Sequence, residues 1–169
     1  MAVHAPEKVA VRDPRELISA EEFTAVSQTV QRNSGLTVEV ADRITAEALK
    51  FVAAAAQFPG QGMRPSRVVD EGWHALILHT YTYHLLCQRL GVFVHHCPEA
   101  PDPTRYDKDA LARTTGAVLA AGFEVDQELW RGPEDRSFQV AADCQHGPGG
   151  PEGTCNTPCT DKVPSPNPN

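Results

Sequence analysis

The stretch from residue 68 to residue 96, VVDEGWHALILHTYTYHLLCQRLGVFVHH, gathers an aspartate, a tryptophan, two tyrosines, a cysteine and five of the chain's seven histidines among apolar residues. Asp70 and His74 stand four apart, so on a helix their side chains can meet, either as a hydrogen-bonded carboxylate–imidazole pair or as two ligands of one cation. The pair alone fits a satisfied contact in a core, because buried polar groups ordinarily find partners. His95 and His96 widen the choice: they follow Gly91, where the chain can reverse and carry one imidazole back to the same pocket. Adjacent residues outside a helix point apart, so only one of the two joins Asp70 and His74. Two imidazoles and a carboxylate form a facial set with open positions, suited to Zn²⁺, Fe²⁺ or Mn²⁺.

A second set lies near the C-terminus. Cys144, His146, Cys155 and Cys159 are spaced C-x-H-x₈-C-x₃-C in a Gly/Pro-rich setting. Four such donors can close a tetrahedral zinc site, and zinc would supply the ordering energy that burial cannot; solvated or redox-active thiols are the other reading. Cys87, inside the histidine-rich stretch, reads as a small buried hydrophobe. Cys97 beside His96 could be a ligand or a thiol favoured as thiolate by a neighbouring imidazolium. A Cys–His nucleophile ranks below the metal, since no orienting third group or oxyanion donor is legible. Trp73 and Tyr83 read as core aromatics, and the charges on the first two helices as a solvated face.

Helices must position these groups. Ser19 and Glu22 have capping-box spacing, and Phe23, Val26 and Val30 recur on one side, predicting a first helix over about 20 to 32 that ends near Asn33-Ser34-Gly35. Val40, Ile44, Ala48, Phe51 and Ala55 repeat every three or four residues until Pro59-Gly60 stops a second. Pro65 and Ser66 suit the start of a third, running to Leu90 with Gly91 as its left-handed cap. On a wheel at 100° per residue, Trp73, His74, Ile77, Tyr81 and His84 fall near Asp70 and His79 points away. Apolar residues at nearly every angle make this motif helix (about 66–90) the centre of the bundle, burying Trp73, Ile77 and Leu78. A fourth helix begins near Asp107 and ends around Gly122. The expected fold is therefore all-α: residues 1–16 a loose arm, 17–131 a compact bundle of about four helices, and 132–169 a Gly/Pro/Cys-rich tail with too few large apolar residues to order itself by burial.

The chain's 169 residues are enough for one domain with a single core. A net charge of −7 and a pI near 5.4 oppose binding to a phosphate backbone, so nucleic acid is not an expected partner. With 41% apolar residues and a mean hydropathy of −0.35, no apolar run approaches the roughly 20 residues that span a bilayer. The N-terminus lacks a cationic start followed by an apolar signal core, so no membrane association and a cytoplasmic location are expected. Five cysteines cannot all pair within one chain, which favours thiols or metal ligands over a disulfide framework.

Val69-Asp70, Trp73-His74, Ile77-Leu78, Thr80, Tyr83, Cys87, Gly91, Phe93, His95-His96 and Pro98, in the order VDxxWHxxILxTxxYxxxCxxxxGxFxHHxP, resemble the signature of the glycine-rich domain-containing protein-like family. The resemblance spans roughly residues 36 to 131, through Gly122-Phe123 and Leu129-Trp130. It implies a compact helical domain whose characteristic polar residues are Asp70, Trp73, His74 and a downstream histidine, and, with the Cys- and Gly-rich tail, a small bacterial member. No defined activity comes with it. Plant members read more like Trp-His-x-His, whereas position 76 here is Leu76, which leaves His74 with His95 or His96. Two functions follow from these residues. One is a small metalloenzyme, an oxidoreductase or hydrolase with a small-molecule substrate at an Asp/His/His metal. The other is a non-catalytic helical module whose Cys/His tail binds zinc or a protein partner.

Overall fold

In the computed structural model, residues 11–96, 107–132 and 136–140 are described. They form a short 3₁₀ turn, Pro14–Leu17, and five helices: α1 (Ala20–Ser34), α2 (Val38–Gln57), α3 (Arg67–Leu78), α4 (Thr80–Leu90) and α5 (Ala110–Ala120), with no strand among the described residues. The all-α expectation holds. Among these residues no helix is long and apolar enough to cross a membrane.

Local signals set most of the boundaries. The Ser19 hydroxyl accepts from the Glu22 N–H while the Glu22 carboxylate accepts from the Ser19 N–H, the reciprocal bonds of a capping box. Thr37 and Ser66 cap α2 and α3 by side-chain oxygen alone, accepting from the Val40 and Val69 N–H groups. α1 ends at Gly35 and α4 at Gly91, both with positive φ, a conformation that costs glycine nothing.

α2 and α3 make the centre. α2 packs against the 3₁₀ turn, α1, α3, α4 and α5, and α3 against α1, α2 and α4. Ile44, Ala48, Leu49, Phe51 and Val52 of α2 meet Val69, Trp73 and Leu76 of α3 in one cluster closed to water. Gly72 lets the two helices touch: a Cβ there would stand 2.8 Å from the Ile44 carbonyl oxygen and 3.0 Å from the Ala48 Cβ. Those separations are below van der Waals contact, so the crossing requires glycine despite its cost of about 1 kcal/mol in a helix interior.

The motif helix, expected to run unbroken to Leu90, is two helices. His79 takes φ −85° and ψ 65°, outside helical geometry, and caps α3 and α4 at once. The residues at the break are tied to α1: Thr29 Oγ1 lies 2.9 Å from His79 Nε2, and the Thr82 hydroxyl donates to Glu22 Oε1 at 3.1 Å. The turn moves everything after it off the wheel drawn from Asp70. Leu78, expected in the core, is 67% exposed, Tyr81 is 74% exposed, and His84 is exposed as well.

A second correction concerns α2. Its charges were expected on a solvated face, but Glu47 is 1% exposed. It accepts from Trp130 Nε1 at 2.6 Å, from the Asp126 N–H at 3.2 Å and from Lys50 Nζ at 2.5 Å. Arg43, one turn earlier, forks onto Asp126 at 2.7 and 3.1 Å and onto Glu128 at 2.5 Å. These bonds clamp the segment after α5, with buried Phe123, Leu129 and Trp130, over α2. At the other end, Arg12 donates from its backbone to the Gly122 carbonyl and from its guanidinium to that of Ala121.

Candidate metal centre

Asp70 sits in the first turn of α3. The Ser66 hydroxyl accepts from the Val69 N–H and donates to the Leu129 carbonyl, so the start of the helix is fixed to the segment that α2 also holds. Asp70 and Trp73 have no exposed surface, and the His74 side chain, one turn further, keeps 34% of its own. The expected Asp70–His74 convergence is present: His74 Nε2 lies 3.6 Å from Asp70 Oδ2.

Gly91 turns the chain back as expected, and the choice between the paired histidines falls on His96. Its Nε2 stands 3.0 Å from Asp70 Oδ1 and 2.8 Å from His74 Nε2. Its ring packs against those of Trp73 and His74, with centroids 4.4 and 4.5 Å away. His95 points elsewhere, its ring 4.7 Å from that of Phe93. One ligand atom from each of Asp70, His74 and His96 falls within 4.8 Å of the others, a group that could hold a metal ion.

The segment that carries His96 is fastened two residues earlier. Trp73 Nε1 donates to Tyr83 Oη at 3.0 Å, and the Tyr83 hydroxyl donates to the Val94 carbonyl. Phe93 meets the Tyr83 ring edge-on at 5.4 Å. Burial pushes the Tyr83 hydroxyl far above the usual phenol range, so it stays protonated and able to donate. Burial also pushes the Cys87 thiol up, against the opposing effect of bonds to the Val94 backbone and to Tyr83. Cys87 is 2% exposed, the small buried hydrophobe the sequence suggested. Trp73 and Tyr83 are core aromatics, as expected, but both carry polar work at their edges.

The donor set is one that could hold a cation. His96 Nε2 faces both His74 Nε2 and Asp70 Oδ1, yet a ring nitrogen holds one proton or one lone pair. Which nitrogen donates and which accepts is set by the tautomers of the two rings. With metal, all three atoms become ligands. Two donors each about 2.1 Å from an ion lie about 3.0 Å apart at a right angle and about 3.4 Å apart at the tetrahedral angle. The two imidazole nitrogens stand 2.8 Å apart, and each is near a different oxygen of Asp70, His96 Nε2 at 3.0 Å from Oδ1 and His74 Nε2 at 3.6 Å from Oδ2.

Cys144, His146, Cys155 and Cys159, together with Cys97, lie outside the described residues. The chain's approach to that tail is described: Arg67, on α3, donates to the Phe138 and Val140 carbonyls, both at 3.0 Å. Reasoning from sequence missed Tyr83 as a polar anchor, Gly72 as the crossing point, and Glu47 with Trp130. Two of these left traces. A glycine inside an apolar helix signals close approach, and Glu47 falls between Ile44, Ala48 and Phe51, at the spacing of a buried stripe.

A family model described as UCP032817-like matches residues 15–117, more than half of the chain and all of the described site. No curated protein and no solved structure matches the chain.

Proposed function

The chain belongs to the UCP032817-like family, and we propose that it is a metal-binding protein whose Asp70, His74 and His96 hold one divalent cation. That family description names no activity, so the reading rests on the site. The observation that carries it is the meeting of two imidazole nitrogens, 2.8 Å apart, beside a carboxylate with no exposed surface. Two histidines and one carboxylate leave at least one coordination position open, which in catalytic metal sites takes water or substrate. The partly exposed His74 ring gives that position a route to solvent. Zn²⁺, Fe²⁺ and Mn²⁺ all suit the donors, and a small metalloenzyme, hydrolytic or redox, is the function this arrangement supports best. Kinship with the glycine-rich domain-containing proteins is part of the same proposal and rests on the order of the motif residues from Val69 to Pro98.

The test is metal analysis of protein purified without an affinity tag and then dialysed against each of Zn²⁺, Fe²⁺ and Mn²⁺. One of these ions is expected to remain bound, and His74→Ala is expected to hold one equivalent less per chain with its helical circular dichroism intact. The difference in stoichiometry isolates this site from any metal taken by the tail. Equal metal content in the two proteins would sink the proposal and leave Asp70–His74–His96 a structural contact.

A further inference from the structure

Resting on the cation reading above, we infer that the Tyr83 hydroxyl is a positioning group for the metal centre: it sets where His96 stands, without touching the ion. His96 is the only ligand of the three that does not come from α3, so nothing in that helix's own geometry brings it to the site. It arrives on the segment after Gly91, which has no helical or strand ladder of its own to fix its residues. One register turns His96 toward Asp70; a slip by one residue would present His95 in its place.

The register is read at Val94. Its carbonyl accepts from the Tyr83 hydroxyl, and Val94 is itself buried. The rings divide the segment: His96 packs on Trp73 and His74, while His95 packs on Phe93, which also meets the edge of the Tyr83 ring. The hydroxyl's own direction is fixed from behind by the Trp73 indole N–H, so a chain of donors runs from Trp73 through Tyr83 to Val94. Trp73 thus touches His96 with its ring and orients the anchor of His96 with its nitrogen. Outer partners that orient metal-binding histidines commonly change metal affinity by tenfold to a hundredfold when removed.

A double-mutant cycle on the full chain tests this, with Co²⁺ titration read at the visible ligand-field bands. Thiolate-to-cobalt absorption in the near ultraviolet marks any Co²⁺ taken by cysteines. Tyr83→Phe is expected to weaken Co²⁺ binding about tenfold or more. In a His96→Ala background the same substitution should change affinity less than about twofold, because the hydroxyl acts only through that ring. Trp130→Phe, which breaks a buried indole hydrogen bond to Glu47 instead, should leave affinity unchanged, as loss of stability alone would. Should Tyr83→Phe fail to fold, Cys87→Ala, which removes the thiol's bond to the Val94 backbone, is expected to weaken binding several-fold and again only with His96 present. Equal losses with and without His96, or no loss in the variant that folds, would overturn the inference while leaving the cation reading standing. A wild-type chain that takes up no Co²⁺ outside its cysteines would end both.

Discussion

Asp70 and Glu47 are both carboxylates closed to water, on the two helices that cross at Gly72, and they are satisfied in different ways. Glu47 faces donors that each bring their own proton: an indole N–H, a backbone N–H and an ammonium. Nothing further is needed there: the Trp130 and Asp126 bonds tie the segment after α5 to α2, and Lys50 lies on α2 itself. Asp70 faces two imidazole nitrogens that also face each other. With the carboxylate those nitrogens form a group that could hold a cation. Both carboxylates are buried; the chemistry of the partners separates a clamp from a candidate site.

The largest effect should come from breaking the clamp. Glu47→Ala leaves the Trp130 indole and the Lys50 ammonium facing a cavity, and removal of one partner from a buried charged network costs about 3–5 kcal/mol. Urea unfolding measures it. Metal binding by the molecules that remain folded should not change. If Glu47→Ala instead lowers metal affinity as strongly as it lowers stability, the two regions are one unit and the comparison fails.

Metal should separate the two carboxylates in the opposite direction. At free metal a hundredfold above its Kd, the wild-type chain gains about 2.7 kcal/mol of stability by mass action. Asp70→Asn should gain nothing, and its metal-free stability should lie within about 1 kcal/mol of wild type, since an amide of the same shape can still bond to imidazole. Thermal melts with and without added metal test both halves. An Asp70→Asn protein as unstable as Glu47→Ala would make Asp70 a clamp of the same kind.

Gly72 belongs to both regions, because the crossing it permits sets α3 against α2. In Gly72→Ala the new methyl group must displace the Ile44 carbonyl or push the helices apart, an overpacking cost of about 1–3 kcal/mol. Alanine's better helix propensity returns about 1 kcal/mol. A net fall in Tm is expected, and a rise would show that the helices separate freely.

These regions also differ in how far the chain's letters disclose them. Ser19, Glu22, Ser66 and Gly91 act on their own helices within four residues, and each did what its type and position suggest. Asp70 and His74 share a helix, so their meeting is legible from spacing alone. The break at His79 is not, because it answers to Thr29 and Glu22 on another helix, 50 to 60 residues away. Selection of His96 over His95 depends on the hydroxyl of Tyr83, which no periodicity reports. Glu47 stands in an apolar stripe where its spacing could be read, but its partner Trp130 lies 83 residues on, beyond the reach of any local pattern.

The smallest effect sharpens the comparison at the rim of the clamp. Two guanidinium N–H groups of Arg43 hold the Asp126 carboxyl below its usual range. A carboxyl whose folded pKa is depressed contributes stability above its unfolded value, about 3.9 for aspartate, and loses that contribution as the pH falls through the folded value. The chain should therefore weaken progressively below about pH 4, in part through this pair. With Arg43 38% exposed, water screens the interaction and holds it below about 1 kcal/mol. Asp126→Asn should show that small loss at pH 7 and a shallower decline of stability in acid than wild type, followed by urea unfolding from pH 7 to pH 2.5. Its metal affinity at pH 7 should match wild type, because Asp126 meets the clamp and not the site. A variant with an unchanged acid slope would mean that the fork persists in the unfolded chain or contributes nothing to folding.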